Sequence, residues 1–121
     1  MLFRSLNYSV LNETKRLYTY GRGSGFSDGN LIDGWYRFHS TQYTRMIDRC
    51  IPHHRCGGAI SGWQDGDHPS FADGIVDRKV CFHGFYKCCY KNRKIRVRKS
   101  LGSYVYRLKA SPGNSYVYCT I

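Results

Sequence analysis

The chain has 121 residues, 41% of them hydrophobic, and a formal net charge of +11. This length fits one domain, residues 1–121, and excludes two ordinary hydrophobic cores. No apolar run approaches the roughly 18 residues of a membrane-spanning helix, and the excess of positive charge favours anionic partners.

The N-terminal segment carries two Asn-x-Ser/Thr sequons, Asn7-Tyr8-Ser9 and Asn12-Glu13-Thr14. In a secreted protein Asn7 and Asn12 are candidate glycosylation sites. Residues 12–16 have the pattern of a single helical turn. Residues 1–7 lack the apolar core of a signal peptide. We therefore interpret the chain as a fragment of a longer precursor or as one with an incomplete N-terminus.

The middle of the chain alternates between short strands and irregular loops. Residues 21–34 are rich in glycine and predict a loop, and residues 35–38 predict a strand with bulky side chains on both faces. Residues 52–74 are dominated by turn residues, so cysteines and buried rings must hold them. Residues 75–76 predict the start of another short strand.

A cluster of cysteine and histidine in this region is compatible with zinc: Cys50, His53, His54 and Cys56. It has neither a Cys-x-x-Cys pair nor a second ligand pair at zinc-ribbon spacing. We therefore predict no metal site and no cofactor. His53 and His54 are interpreted as residues of an exposed loop beside Pro52.

The six cysteines are an even number, which is typical of a disulfide framework in an oxidising compartment: Cys50, Cys56, Cys81, Cys88, Cys89 and Cys119. Adjacent Cys88 and Cys89 rarely bond to each other, because the small ring strains the peptide. Each should therefore have a different partner, and about 12 pairings remain open. Each bridge stabilises a small domain by roughly 2–4 kcal/mol.

A run of basic residues follows the adjacent cysteines: Lys91, Arg93, Lys94, Arg96, Arg98 and Lys99. On a strand, Ile95 and Val97 face one side, while Lys94, Arg96 and Arg98 face the other. The ordinary interpretation is a solvated strand face. The alternative is a polyanion-binding site for heparin-like sugars, anionic surfaces or nucleic acid, without specificity for a nucleic-acid sequence.

The C-terminal third predicts a three-stranded antiparallel meander from residues 95–98, 104–108 and 116–119. No window has the periodicity of a convincing amphipathic helix. The expected fold is a small, disulfide-stabilised, mainly-β domain with short strands, long irregular loops and little helix.

The order of motifs along the chain resembles one known module, the eight-to-ten-cysteine domain of uromodulin. The motifs that carry the resemblance are Gly34-Trp35-Tyr36-Arg37-Phe38, Arg45-Met46, Cys50-Ile51-Pro52, Cys56-Gly57, Gly62-Trp63, His68-Pro69, Gly74-Ile75-Val76, Cys88-Cys89, Tyr104-Val105-Tyr106 and Tyr118-Cys119-Thr120. The same module occurs in the zymogen-granule membrane glycoprotein of pancreas, in the liver protein oncoprotein-induced transcript three and in von Willebrand factor D and EGF domain-containing proteins. The resemblance covers residues 5–120, and residues 1–4 are expected to be a linker.

Four cysteines of the longest family members are absent here. The alignment places them at Ser5, Ser27, Ser100 and Asn114. The resemblance therefore implies three intact disulfides, two missing ones and no free thiol. It also implies a looser N-terminal arm and final turn. The sequons that carry the family's bacterial-decoy glycans are not found at the matching positions, so decoy activity by those glycans does not carry over.

The resemblance implies a non-enzymatic, extracellular glycoprotein module, secreted or at the cell surface. Such a module serves protein or glycan interaction or structural support, and its partners include neighbouring EGF-like or zona-pellucida domains of a larger precursor. A basic secreted polyanion-binding protein is the alternative. A remote alternative is a small ribonuclease-like enzyme built on some of His39, His53, His54, His68 and His83. Six aromatic residues could form a carbohydrate platform but are interpreted as core: Trp35, Tyr36, Phe38, Trp63, Tyr104 and Tyr106.

Overall fold

The computed structural model describes residues 7–21, 23, 25–39, 45–100 and 102–121. They form one sheet of seven strands in the spatial order β1-β2-β6-β5-β4-β3-β7. The strands are β1 (Ser9–Leu11), β2 (Gly34–Phe38), β3 (Ile60–Asp65), β4 (Val76–Gly84), β5 (Lys87–Ser100), β6 (Ser103–Leu108) and β7 (Tyr116–Tyr118). The predicted mainly-β class is confirmed. The missing-cysteine position at Ser5 and the expected linker at residues 1–4 lie outside the described residues.

Helical structure in the described ranges is limited to two single 3₁₀ turns, Thr14–Arg16 and Phe71–Asp73. The first is the single turn expected between residues 12 and 16. Neither turn is long and apolar enough to span a membrane, and no other described segment is a helix that could.

The antiparallel meander consists of β4, β5 and β6, which follow one another along the chain and across the sheet. The prediction that the last strand belongs to it is wrong. Strand β7 pairs in parallel with β3 at the far edge of the sheet. The Cys56–Cys119 disulfide and the amide of Tyr118, which donates to the Asp28 carboxylate at 2.8 Å, hold β7 there.

A tight hairpin joins β4 to β5, and its tip exposes two aromatic rings. Gly84 pairs with Lys87, while Phe85 and Tyr86 occupy the left-handed region at φ 50° and 64°. Asn-Gly is the usual choice for such a turn, because other side chains are strained there. Phe85 is 67% exposed and Tyr86 95% exposed. Phe85 nevertheless packs on the ring of Tyr90, with ring centres 4.6 Å apart, whereas Tyr86 is almost fully exposed to solvent.

Apolar side chains form a core on each side of the sheet. The larger core lies under the centre of the sheet and contains the fully buried rings of Phe38, Phe82, Tyr106 and Tyr118. The smaller core lies on the other side, against β3 and β7, and its buried members are Ile47, Ile51, Cys56, Val117 and Cys119. The loop before β3 thus packs over β3 and β7. On the same side of the sheet, part of β4, β5 and β6 around Lys94 and Arg96 remains exposed, whereas Val105 of β6 is fully buried.

All six cysteines are bonded: Cys50 to Cys88, Cys56 to Cys119 and Cys81 to Cys89. The adjacent pair thus has two separate partners. Cys81–Cys89 closes the base of the β4–β5 hairpin, and Cys50–Cys88 ties that hairpin to the loop before β3. Strand β5 begins at Lys87, well before the alternating segment that predicts it, because these bonds and the pairing with β4 extend it.

One ion pair lies inside the domain, between Arg16 and Asp28. The guanidinium donates two hydrogen bonds of 2.7 Å to the two carboxylate oxygens, and the side chains are 1% and 2% exposed. Burial alone would lower the pKa of Arg16, but the hydrogen bonds and charge of Asp28 raise it overall. The guanidinium therefore stays charged and joins the N-terminal 3₁₀ turn to β7 through the carbonyl of Tyr118.

Candidate functional site

The open outer face of the central strands carries a row of cations. Paired residues on antiparallel strands point to the same side of a sheet. The register sets Arg96 directly opposite Arg107 and Lys94 directly opposite Lys79. Arg98 follows Arg96 on the same face of β5, about 6.6 Å further along. It is half-buried and stands opposite fully buried Val105. We call these residues the basic face: Lys79, Lys94, Arg96, Arg98 and Arg107.

The like-charged pairs of the basic face work against folding. Opposite charges across a sheet stabilise it, whereas like charges directly opposite each other destabilise it. Here two such pairs stand side by side, Lys94 with Lys79 and Arg96 with Arg107. The register also sets Asp65 opposite Lys79 and Asp77 opposite Arg96, so an opposite charge flanks each pair on one side. The repulsion within the two pairs makes the face a candidate binding surface.

Three carboxylates at the rim offset part of this charge. Asp33 accepts a hydrogen bond of 3.0 Å from Arg107, and this bond lowers the pKa of Asp33. Asp77 lies 3.5 Å from Arg96, and Asp65 lies 3.8 Å from Lys79. Lys94 and Arg98 form no ion pair with a carboxylate of the described residues. The face therefore keeps a positive excess, centred on β5.

The exposed part of the basic face lines an open depression with a volume of about 810 Å³. The cations that line it include Lys79, Lys94, Arg96, Arg107 and the neighbouring Lys109, but not Arg98. An open, polar depression of this kind suits an extended ligand that lies across several strands. It does not enclose a small molecule.

The structure does not bring all six residues of the predicted basic run together. Lys94, Arg96 and Arg98 lie on the basic face, as the alternation predicts. The other three residues of the run lie on the opposite side of β5: Lys91, Arg93 and Lys99. Lys91, for example, is paired in register with buried Phe82. Arg93 donates to the carbonyl of Ala110 at 3.1 Å, and Lys99 lies 4.6 Å above the ring of Tyr104. These three are not part of the same surface.

Both sequon asparagines are exposed. Asn7 precedes β1 and Asn12 follows it, at the edge of the sheet. A glycan at either position would project from this edge without displacing core residues. Glycosylation of Asn7 and Asn12 stays a prediction.

The cysteine–histidine cluster that is compatible with zinc is not formed as a unit. Cys50 and Cys56 are bonded to different partners, Cys88 and Cys119, so neither thiolate is available as a ligand. His53 instead lies near His54 and His83, with ring centres 4.3 and 5.7 Å away. His39 lies elsewhere, exposed just after β2.

His68 has the surroundings of a catalytic base but no room for a substrate. Its Nδ1 lies 3.4 Å from Asp48 Oδ2, and its Nε2 lies 2.7 Å from the hydroxyl of Tyr106. That hydroxyl also accepts a hydrogen bond from the amide of Met46 at 2.8 Å. Tyr106 is fully buried, so nothing outside the protein can reach its oxygen. The network ties the segment around Met46 to the sheet.

Protonation of His68 should weaken the domain. The pKa of His68 is lowered below 6.5, mainly because the side chain is buried. The carboxylate of Asp48 raises this pKa, whereas the positive charges of Arg45 and Arg78 lower it further. The unfolded chain then binds more protons than the folded one. The free energy of unfolding should therefore fall as the pH drops below about 6.5. Urea unfolding followed at several pH values measures this slope.

The variant His68→Gln serves as the comparison, since glutamine stays neutral throughout this range. It should be less stable than the wild type near neutral pH, because the bond to Tyr106 is altered. Its stability should change less than that of the wild type on going to about pH 5. If the free energy of unfolding depends on pH in the same way for both proteins, then groups other than His68 cause the loss of stability in acid.

Both tryptophans are partly buried rather than enclosed. Trp63 packs against the smaller core, and its indole N–H donates to the carbonyl of Cys88 at 2.8 Å. Trp35 is paired in register with Arg107 at the margin of the basic face. Of the other rings considered as a sugar platform, Tyr36, Phe38 and Tyr106 are buried in the larger core. They do not form an exposed platform.

Comparison with known proteins decides the family. Residues 36–120 match the family model that describes the uromodulin-like domain. The chain belongs to this family. It is 39% identical to "Uromodulin" of Mus musculus over 93% of this chain and 17% of that protein. It is 36% identical to "Pancreatic secretory granule membrane major glycoprotein GP2" of Homo sapiens over 95% of this chain and 21% of that protein.

This uromodulin-like domain thus spans about a fifth of the length of the curated relatives that it matches. The five residues of the basic face and all six cysteines lie within the range matched by the family model, residues 36–120. The sequons at Asn7 and Asn12 precede that range.

Two members of the basic face were not predicted from the sequence, Lys79 and Arg107. Each belongs to a different strand from the basic run, and only the register of β4 and β6 against β5 brings them beside it. The signal that could have found Arg107 is its place between buried Tyr106 and Leu108. A single cation between two core residues indicates an outward position on a strand.

Proposed function

We propose that this uromodulin-like domain is a non-catalytic, extracellular interaction module of a larger glycoprotein, and that its basic face binds an anionic glycan. The observation that carries the glycan proposal is the pair of like-charged neighbours, Lys94 with Lys79 and Arg96 with Arg107. A bound polyanion would remove the repulsion that these pairs cause in the free domain. The three disulfides and the glycoprotein relatives support the extracellular assignment.

The ligand chemistry follows from the shape and spacing of the face. Successive outward residues on β5 lie about 6.6 Å apart, and the next strand lies about 4.8 Å away. Cations therefore form a two-dimensional grid rather than a closed pocket. A chain that carries sulfate or carboxylate groups at many points can contact several of them at once. The rim carboxylates Asp33, Asp65 and Asp77 would favour a ligand that avoids the edges of the grid.

Removal of Lys94 and Arg98, the two cations of the basic face without a carboxylate partner among the described residues, should weaken glycan binding. On a heparin column, Lys94→Ser/Arg98→Ser should elute at clearly lower salt than the wild type. Binding by release of counterions depends steeply on salt, so about three contacts should lose tens-fold affinity between roughly 50 and 200 mM salt. The slope of log affinity against log salt should be shallower in the variant.

The matched control is Lys87→Ser/Lys91→Ser, which also removes two exposed cations of β5 but leaves the basic face intact. It should elute close to the wild type. If the two double variants elute at the same salt concentration, retention on heparin depends only on the net charge of +11. The basic face would then be an ordinary solvated surface and not a binding site.

A further inference from the structure

We propose that His53 and His83, with His54 beside them, form a surface site for one divalent transition-metal ion, Zn²⁺ or Cu²⁺. This differs from the sequence-based expectation of no metal site, because His83 comes from strand β4 and the other two come from a distant loop. The proposal uses different residues from the basic face and does not depend on it.

The spacing of the rings fits a shared ion. Two imidazoles that bind one tetrahedral ion at about 2.0–2.1 Å have ring centres about 5 Å apart. The ring centres of His53 and His83 are 5.7 Å apart, and those of His53 and His54 are 4.3 Å apart. The ring of His53 is thus a neighbour of both other rings.

His83 is held in the form that binds metals. Its Nδ1 lies 2.6 Å from the backbone carbonyl of Ile51. A carbonyl oxygen can only accept, so Nδ1 must carry the proton. In the neutral ring the lone pair is then on Nε2. Histidines that bind metals commonly donate their other nitrogen to a carbonyl or carboxylate, which fixes the tautomer and the direction of the ring.

The loop that carries His53 and His54 is held in place on both sides of the two histidines. Cys50 is bonded to Cys88 of β5, and Ile51 is buried in the smaller core. His54 has a left-handed backbone at φ 61° and donates its amide to the carbonyl of Ala59 at 2.9 Å. Such strain in a residue other than glycine persists only when the surroundings impose it, and it is frequent at functional sites.

The donor set selects the class of ion. The sulfurs of Cys50 and Cys88 also lie close to His83, within 4.8 Å. They are bonded to each other, so they are not thiolate ligands. Neutral imidazoles remain, and these suit Zn²⁺ and Cu²⁺ rather than Mg²⁺ or Ca²⁺, which prefer oxygen. Two or three imidazoles leave positions open to water or to a group of a partner.

Calorimetric titration of the intact, oxidised chain with ZnCl₂ and with CuCl₂ tests the site. We expect one ion per chain at about pH 7.4, and no heat from MgCl₂ or CaCl₂. His53→Ala and His83→Ala should each weaken binding at least tenfold, and His54→Ala should weaken it less. At about pH 5.5 binding should also fall at least tenfold, because protons compete for the imidazoles.

The control His39→Ala removes an exposed histidine far along the chain and should leave binding unchanged. A circular dichroism spectrum and the mass after alkylation verify that each variant is folded and fully oxidised. As a second readout, the spectrum of bound Cu²⁺ in electron paramagnetic resonance should show coupling to at least two nitrogens in the wild type. No binding, equal loss in His39→Ala, or unchanged binding in both His53→Ala and His83→Ala would overturn the proposal.

Discussion

Replacing Asp28 with alanine should lower the free energy of unfolding by about 3–5 kcal/mol, the cost of leaving a buried charge without its partner. Asp28 holds Arg16 through two hydrogen bonds of 2.7 Å and accepts the amide of Tyr118 at 2.8 Å. Alanine would leave the two terminal nitrogens of the guanidinium enclosed without a carboxylate, because Glu13 contacts only its Nε, at 2.8 Å. Because small domains are stable by only about 5–15 kcal/mol, a large part of the chain should be unfolded at moderate urea. Urea titration followed by circular dichroism measures the loss.

Two further variants separate the buried charge from the loss of packing. Asp33→Ala also removes a carboxylate that is bonded to an arginine, but that pair is exposed, so stability should hardly change. Arg16→Met/Asp28→Leu replaces both charges with apolar groups and should be more stable than Asp28→Ala alone. If Asp28→Ala and Asp33→Ala cost the same, the buried pair does not hold the fold together.

Removal of the Cys56–Cys119 disulfide should cost about 4 kcal/mol, more than the loss of the short Cys81–Cys89 bridge. This bond joins residues 63 apart and therefore restricts the unfolded chain strongly. It also lies in the smaller core, where both cysteines are buried. The change is Cys56→Ala/Cys119→Ala, which leaves no free thiol. Thermal and urea unfolding without reducing agent give the difference.

The matched comparison is Cys81→Ala/Cys89→Ala, which opens a bridge between residues only eight apart. The same entropy argument gives about 2.5 kcal/mol for this shorter loop. The hairpin that it closes is also held by the pairing of β4 with β5. Equal losses for the two double variants would mean that loop length does not set the contribution of these bonds.

The local parts of the fold could be predicted from the sequence. In β5 apolar and basic residues alternate between residues 94 and 98, and this period places Ile95 and Val97 inside and Lys94 and Arg96 outside. The same period explains why only half of the basic run lies on the basic face. The adjacent cysteines likewise predict two separate partners, because the strain of a bond between them is a local property.

The long-range parts could not be predicted in this way. Nothing in residues 116–118 indicates that they pair with β3 rather than with β6, since a short apolar strand fits either edge. The buried pair of Arg16 and Asp28 was missed because arginine and aspartate are almost always exposed. His83 is separated from His53 by about thirty residues, and only the Cys50–Cys88 bond and the hairpin bring the rings together.

The positions of the disulfides also determine how the domain responds to a pulling force. A force applied through residues before Cys50 and after Cys119 follows the shortest covalent path, which passes from Cys56 directly to Cys119. The residues between these two cysteines lie off that covalent path and are loaded only through non-covalent pairing, as of β2 with β6. At about 3.4 Å per residue, this withholds roughly 200 Å of chain from extension. Strands β3 to β7, with the basic face and His83, therefore belong to a segment that the covalent structure shields from stretching.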